Sequence, residues 1–412
     1  MAGATIDHMI SLTILIAALL IAMMTFNGLF ASAIEYDRNR QVANKAVDLM
    51  NAICLSPGSP ATWGETNETL LGFGLQDPDA GGYILSPYSM MRLSSGNNGS
   101  QLLEYPLGSG IFYNNITAKY GDSILTPLGD CVNYATVSEL LGLNGKYGFN
   151  IEIEPTLNVN ISKVFGYGHL ALKVDVSGSG LPLVGATLNH YLLHVDNVKG
   201  DLNIIPYSGV NLTDSFGSLL LEYEDVDDVL DAYNFIVYVS FGGLTGVGYY
   251  SQDDLGDHPQ YIVPLISDYD EGIVIMAHSW GVHDYTETPV PAVDFNATFF
   301  VLTSDLQLHQ VEIENSTSEI TGKLNYGNST GNSYVTTGLP TSEVGFLFIS
   351  YQGSNDLGSV VLPWGIGSLG VSVPFSSGIG SEGYHFVATE LRQVTIDDIS
   401  YHVKVSVWKL GN

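Results

Sequence analysis

Residues 10–34 read ISLTILIAALLIAMMTFNGLFASAI and contain no charged side chain. A helix needs about 20 apolar residues to cross a bilayer, so this run is long enough. Only Asp7 and His8 titrate ahead of it, and the first base is Arg38. The chain continues as EYDRNRQVANKAVDLMNAICL, in which Val42, Ala46, Met50 and Ile53 recur near helical spacing and form one apolar stripe. Ser56-Pro57-Gly58-Ser59-Pro60 stops the pattern. The expectation is one long helix over 1–56, apolar and then amphipathic, through which the protein is anchored or assembled.

A secretory signal has a basic n-region, a core of about 7–15 apolar residues and a small-residue cleavage site. MAGATIDHM has no base and the apolar run exceeds that core, although Ala31-Ser32-Ala33 has the composition of a cleavage box. A plain single-pass anchor meets a conflict. Arg38, Arg40 and Lys45 would hold the following segment in the cytoplasm. The glycosylation sequons, described next, place that same segment outside.

The remaining chain is long enough for two or three domains. Its net charge of −30 comes from scarcity of bases, 13 against 43 acids. No Lys or Arg occurs between Lys199 and Lys323, where 21 Asp and Glu fall. Nucleic acid is excluded as a natural partner, because binding it needs clustered bases. Cations, Ca²⁺ among them, suit such a field better. Asn-x-Ser/Thr sequons stand at Asn67, Asn98, Asn115, Asn160, Asn211, Asn296, Asn315 and Asn328, all after the helix, and read as a glycosylated exterior. Cys54 and Cys131 fit one disulfide, stapling the helix end to the following region, or two buried thiols.

Fold class reads as mainly β with one long N-terminal α-helix and tandem Ig-like β-sandwich domains. A mixed head region is expected over 57–165, with a helix at 135–143 ended by Asn144-Gly145 and a strand at 149–154 (FNIEIE). Residues 166–256 read as a sandwich. There Leu170, Leu172, Val174 and Val176 alternate, as do Tyr233, Phe235, Val237, Val239 and Phe241. A C-terminal β domain is expected over 257–412, ending in a strand that carries Val403, Val405 and Val407. No strong internal repeat is legible.

Chemistry is sparse. GIGSLG at 365–370 and GIGSEG at 378–383 match G-x-G-x-x-G, but the residues after each read as strand, which makes them hairpin turns rather than phosphate loops. His278 with His283-Asp284 lacks a third metal ligand at a usable spacing. Asp253-Asp254 with Asp257-His258, and Asp268 with Asp270-Glu271, could hold Ca²⁺ through loop carboxylates, or simply be solvated acidic loops. Trp63, Trp280, Trp364 and Trp408 are explained by packing. No residue set argues for catalysis, and a hydrolase survives only because sandwiches can carry sites without motifs.

Ala4-Thr5-Ile6-Asp7, the apolar run 10–34, its amphipathic continuation, CLSPGSPATWG at 54–64, FGLQDPDAGGYILSPYSMMRL and YGFNIEIEPTLNVNIS together resemble the type IV pilin-like subunits of archaea. The resemblance covers roughly residues 1–165. LPLVGATLN within 166–256 resembles Ig-like modules of archaeal surface proteins. It implies a filament polymerised through helices, with Ile10, Ile14, Leu15, Leu19, Ile21 and Phe26 in the filament core. Asp7 would neutralise a neighbour's amine there, and the helix would lie in the membrane before assembly. The partners so implied are copies of this chain. The alternative is a monomeric, membrane-tethered adhesin in which the same helix only anchors.

Overall fold

The computed structural model describes residues 2–94 except 67, short strands at 102–104, 112–115 and 124–125, and residues 132–251 except 144, 199–200 and 229–230. It also describes 262–410 apart from 269–270, 279–291, 312, 314–319, 325–332, 337, 341–342, 354–355, 365–369, 371, 378–383 and 385. The chain is mostly antiparallel β with one long N-terminal helix, α1 (Ala2–Cys54), 53 residues long. At 1.5 Å per residue it measures roughly 80 Å.

The helix ends where the breakers predict, and its last carbonyls are taken by the chain that follows. Leu75 N–H donates to Ile53 O at 2.8 Å and Gln76 N–H to Ser56 O at 3.0 Å. Trp63, fully buried, donates its indole N–H to Pro57 O at 2.9 Å and Gly74 O at 3.1 Å. The buried Arg92 guanidinium donates to Trp63 O, and to Thr66 O at 3.0 Å, and lies 5.2 Å from the indole centroid. Gly74 has no alternative, because a Cβ there would lie 2.1 Å from Ser56 O.

The helix stripe expected from spacing is buried as Val42, Ala46, Leu49, Met50 and Ile53. It rests on a four-stranded sheet ordered Val373–Ser376, Tyr147–Pro155, Ile399–Lys409, Val387–Ile396. The strands anticipated at 149–154 and at the C-terminus are neighbours in it, with Ile151 opposite Val405 and Ile153 opposite Val403. The boundary at 257 therefore needs correction. Residues 373–409 do not belong to a separate C-terminal domain but return to complete the sheet begun by Tyr147–Pro155. The reason is burial: Phe149, Ile151 and Ile153 need a broad apolar surface beside them, which Val403, Val405 and Val407 supply. The helix expected at 135–143 is present as Tyr134–Leu140, with the Asn133 side chain accepting from Thr136 N–H at 3.0 Å.

Two sandwiches are inserted between those strands. In the first, Leu157–Lys163, Leu170–Gly178 and Ser218–Tyr223 form one sheet. Thr187–Val198, Asp201–Leu212, Ala232–Phe241 and Leu244–Ser251 form the other. In chain order the sheets are 1-2-5 and 4-3-6-7, an Ig-like arrangement. It begins at 157, nine residues before the expected start at 166. The second sandwich has the same plan. Ile262–Asp268, Ile273–His278 and Ser333–Thr336 make one sheet. Val293–Leu302, Gly345–Gly353 and Asp356–Pro363 make the other, with Leu308–Gln310 and Ile320–Leu324 along the outer edge of Val293–Leu302. This is the tandem of sandwiches that the fold class anticipates, although no sequence repeat marks it.

The sandwiches pack side by side. Leu188, Leu192, Phe235 and Val237 face the core of the first. Tyr191, Leu193, Ile236 and Tyr238 point the other way and share a core with Phe346, Phe348 and the helix stripe. Polar bonds fix the seam: Tyr191 Oη donates to Gln307 Oε1 at 2.9 Å, and Asn234 Nδ2 donates to Ser359 Oγ. The alternation read at 233–241 was thus half the pattern, because this strand is buried on both faces.

Trp63→Ala removes an indole that seals the helix end and leaves the Arg92 guanidinium without its ring. We expect a loss of about 3–5 kcal/mol, read as a lower denaturant midpoint by circular dichroism.

Candidate functional site

The free half of α1 is the most unusual surface of the molecule. Asp7 is exposed, and so are Ile10, Ile14, Leu15, Leu19, Ile21 and Phe26, at between 53% and 65%. Positions 10, 14 and 21 follow one helical face and 15, 19 and 26 the next, so apolar side chains circle the helix. The most apolar 18-residue window has a mean hydropathy of 2.5 and no part of it is buried. Length and composition suffice to cross a membrane. Three of the hydroxyls in the run bond within the helix. Thr13 donates to Met9 O, Thr25 to Ile21 O and Ser32 to Gly28 O, each at 2.8 Å. A helix so arranged can leave water without stranding those groups. Each Leu or Ile then covered contributes ~1.5–3 kcal/mol.

Where the helix parts from the body, a groove of about 850 Å³ opens. Ala31, Ile34 and Val42 line one side, and Tyr384, Phe386 and Leu410 the other. Glu35, Arg38, Asn39 and Lys409 supply its polar groups. Sequence reasoning missed this site, since its two walls are more than 340 residues apart in the chain.

The other candidates fare unevenly. Asn160 and Asn211 are exposed on strands, as a glycan requires. Asn211 Oδ1 meets His190 Nε2 at 2.9 Å, which leaves the amide nitrogen as the attachment point. Asn296 is corrected: its side chain is 2% exposed and its Nδ2 donates to Leu202 O at 3.1 Å, so the nitrogen that would carry a glycan is buried and engaged. Asn115 lies on a strand, and Asn67, Asn98, Asn315 and Asn328 lie outside the described residues. Cys54 is a buried free thiol that meets Met50 Sδ at 3.5 Å, while Cys131, its expected bridge partner, lies outside the described residues. Burial pushes the Cys54 thiol up to about 12, slightly offset by Arg392.

No group of three or more His, Cys, Asp or Glu side chains is placed to hold a metal ion among the described residues. Of the loops considered for Ca²⁺, Asp253, Asp254, Asp257, His258 and Asp270 lie outside the described residues, while Asp268 ends a strand and Glu271 follows in a turn. His278 ends its strand, and His283 and Asp284 lie outside. Two buried histidines had escaped notice. His194 Nε2 meets Asp231 Oδ2 at 3.0 Å, and His190 sits between Asn211 and the Tyr223 hydroxyl, its pKa lowered by burial. Their partners lie 21 to 37 residues away in sequence, a distance at which no spacing rule operates.

No family model matches the chain, and no curated protein matches it. Solved structures with a likeness include red sea bream transglutaminase, with 10% identity and a TM-score of 0.19, covering 61% of this chain and 37% of that one. Another is the native conformation of E. coli alpha-2-macroglobulin, with 14% identity and a TM-score of 0.20, covering 58% and 18%. The chain thus spans well under half the length of either, and likeness at this level carries no functional argument.

A raised thiol pKa favours the neutral folded form, so this contribution to stability is complete below about pH 9 and declines as pH rises toward about 12. In the native chain at pH 8 we expect Cys54 to resist iodoacetamide, and to react once denatured. Peptide mass spectrometry reads both states.

Proposed function

We propose that this chain is a structural subunit of an extracellular type IV pilus-like filament, polymerised through the free half of α1, with glycosylated β domains outside for adhesion. The observation that carries it is a helix whose second half is seated in a rigid body while residues 7–34 stand exposed and apolar on every side. Such a surface is not stable in water and is covered by lipid or by its own copies. A helix apolar all round suits both states: lipid surrounds it before assembly, and neighbouring helices replace the lipid afterwards. The resemblance of residues 1–165 to archaeal pilin-like subunits selects polymer over simple anchor. Exposed Asn160 and Asn211 suit glycans on an outer surface.

In this reading Asp7 lies within the apolar bundle, where an unpaired carboxylate would cost several kcal/mol, and it pairs with a neighbour's terminal amine. The sandwiches, widely separated from the apolar run in sequence, form the outer layer. The second reading, a tethered monomeric adhesin, uses the same exposed helix and differs only in what surrounds it.

Electron microscopy of surface material sheared from the source cells, with mass spectrometry of the same fraction, tests the proposal. Long filaments containing this chain with residues 10–34 intact are expected. Release only by detergent, as single particles, would establish the tethered protein instead. Leu19→Asp and Ile16→Asp should abolish filaments, since a carboxylate at a helix centre costs about 2.5–3.5 kcal/mol even against lipid. Leu19→Ala separates the readings: an anchor tolerates it, whereas a packed helix core loses contacts and filament yield falls.

A further inference from the structure

Eleven of the 13 basic residues are described. Seven of them, from Arg40 (to Asp37 at 3.3 Å) to Lys404 (to Glu152 at 2.7 Å), have a carboxylate, carbonyl or phenol partner. Arg38, Lys45, Lys146 and Lys409 have no side-chain partner among the described residues, and two of them, Arg38 and Lys409, line the neck groove. Arg38 lies on the helix just past the apolar run, and Lys45 two turns further on. Lys409 lies at the end of the strand beside it, and Leu410 N–H donates to Lys146 O at 3.0 Å. In a protein of net charge −30, two cations without partners line one groove.

That place has a defined depth. Arg38 is four residues beyond Ile34, roughly 6 Å along the helix axis. If residues 10–34 lie in hydrocarbon, Arg38 and Lys409 lie at the level of lipid headgroups. Tyr36 is 71% exposed, and Tyr384 and Phe386 line the groove at the same level, where aromatic side chains favour the membrane interface. The groove pairs an apolar wall with two cations and one carboxylate, Glu35.

We infer that the neck groove binds the headgroup of an anionic phospholipid, its phosphate between Arg38 and Lys409 and the start of an acyl chain against Ile34 and Phe386. Guanidinium offers paired donors to phosphate oxygens, and Lys409 adds a point charge. An acidic protein surface would satisfy the cations but leave the apolar wall bare, so lipid is the better occupant. This rests on the membrane-inserted state proposed above and not on filament assembly.

The test uses the full chain in a neutral detergent, titrated with phosphatidylglycerol or phosphatidylcholine and read by native mass spectrometry. Phosphatidylglycerol should be retained about tenfold more strongly. Arg38→Ala with Lys409→Ala should weaken its retention roughly thirtyfold, at about fivefold per cation, while the thermal unfolding midpoint stays unchanged because both side chains are exposed. Lys323→Ala, which removes a cation paired to Asp294, should leave retention as it was. Equal retention of the two lipids, or an unaffected double variant, overturns the inference. So does displacement by equimolar inorganic phosphate, which would assign the groove to a free anion. A chain soluble without detergent would remove the membrane-inserted state and this inference together. A chain that needs detergent yet shows no lipid preference overturns the inference alone.

Discussion

Val42, Ala46, Leu49, Met50 and Ile53 of the helix rest on the strands Val387–Ile396 and Ile399–Lys409, whose buried face carries Val394, Ile396, Ile399, Val403, Val405 and Val407, and nearly everything else depends on that contact. All eleven side chains are between 0% and 3% exposed. At ~1.5–3 kcal/mol for each large apolar group buried, this seating outweighs what helix propensity alone contributes. It also directs the free half. No proline lies between residues 2 and 54, and of the two glycines Gly3 stands at the very start while Gly28, in the interior, costs about 1 kcal/mol without breaking the helix. The apolar segment therefore leaves the body along a line set by the seated half.

The same sheet holds the sandwiches in place. Tyr147–Pro155 runs straight into the first of them, and Thr156 N–H donates to Ser400 O at 2.8 Å as it passes. Thr245 N–H, from the last hairpin of that sandwich, donates to Ser400 Oγ at 3.1 Å. The insertion thus begins and is braced at one point of the terminal strand. With the sheet from 187 to 251 covered on both faces, the core is continuous from helix to second sandwich. A force on the outer domains reaches the helix through packed strands rather than through a linker. That is the mechanical property a polymer subunit or a tethered adhesin needs.

What could be read in advance was local. A 3.6-residue period over 42–53 and a two-residue period over 149–154 and 403–407 are each carried by neighbours in the chain, and both were found. The pairing of Ile151 with Val405 was not legible, because register across some 250 residues leaves no trace in either strand. The tandem sandwiches were legible as a class, but their shared strand order was not, for a related reason. Strand alternation constrains polarity and not identity, so two copies of one topology need share no motif. Asn296 shows the limit of a tripeptide signal, which says nothing of whether its asparagine faces the core. The neck groove lay beyond reach altogether, since Arg38 and Lys409 acquire their relation only when the last strand returns to the helix.

Charge and burial divide the labour between the two ends of the protein. Bodies carrying most of a net charge of −30 repel one another at close approach, with a screening length of ≈ 8 Å at physiological salt. On the proposed function, attraction between copies comes not from those surfaces but from the apolar segment, which carries only Asp7 and His8 as titratable groups near its start. The cations left over at the neck stand at the boundary between the two regimes, where the acidic body meets the greasy helix. On the proposed function this ordering has a consequence for assembly: repulsion keeps the bodies apart until the helices are brought together, and burial of the helices then supplies the energy that repulsion withholds.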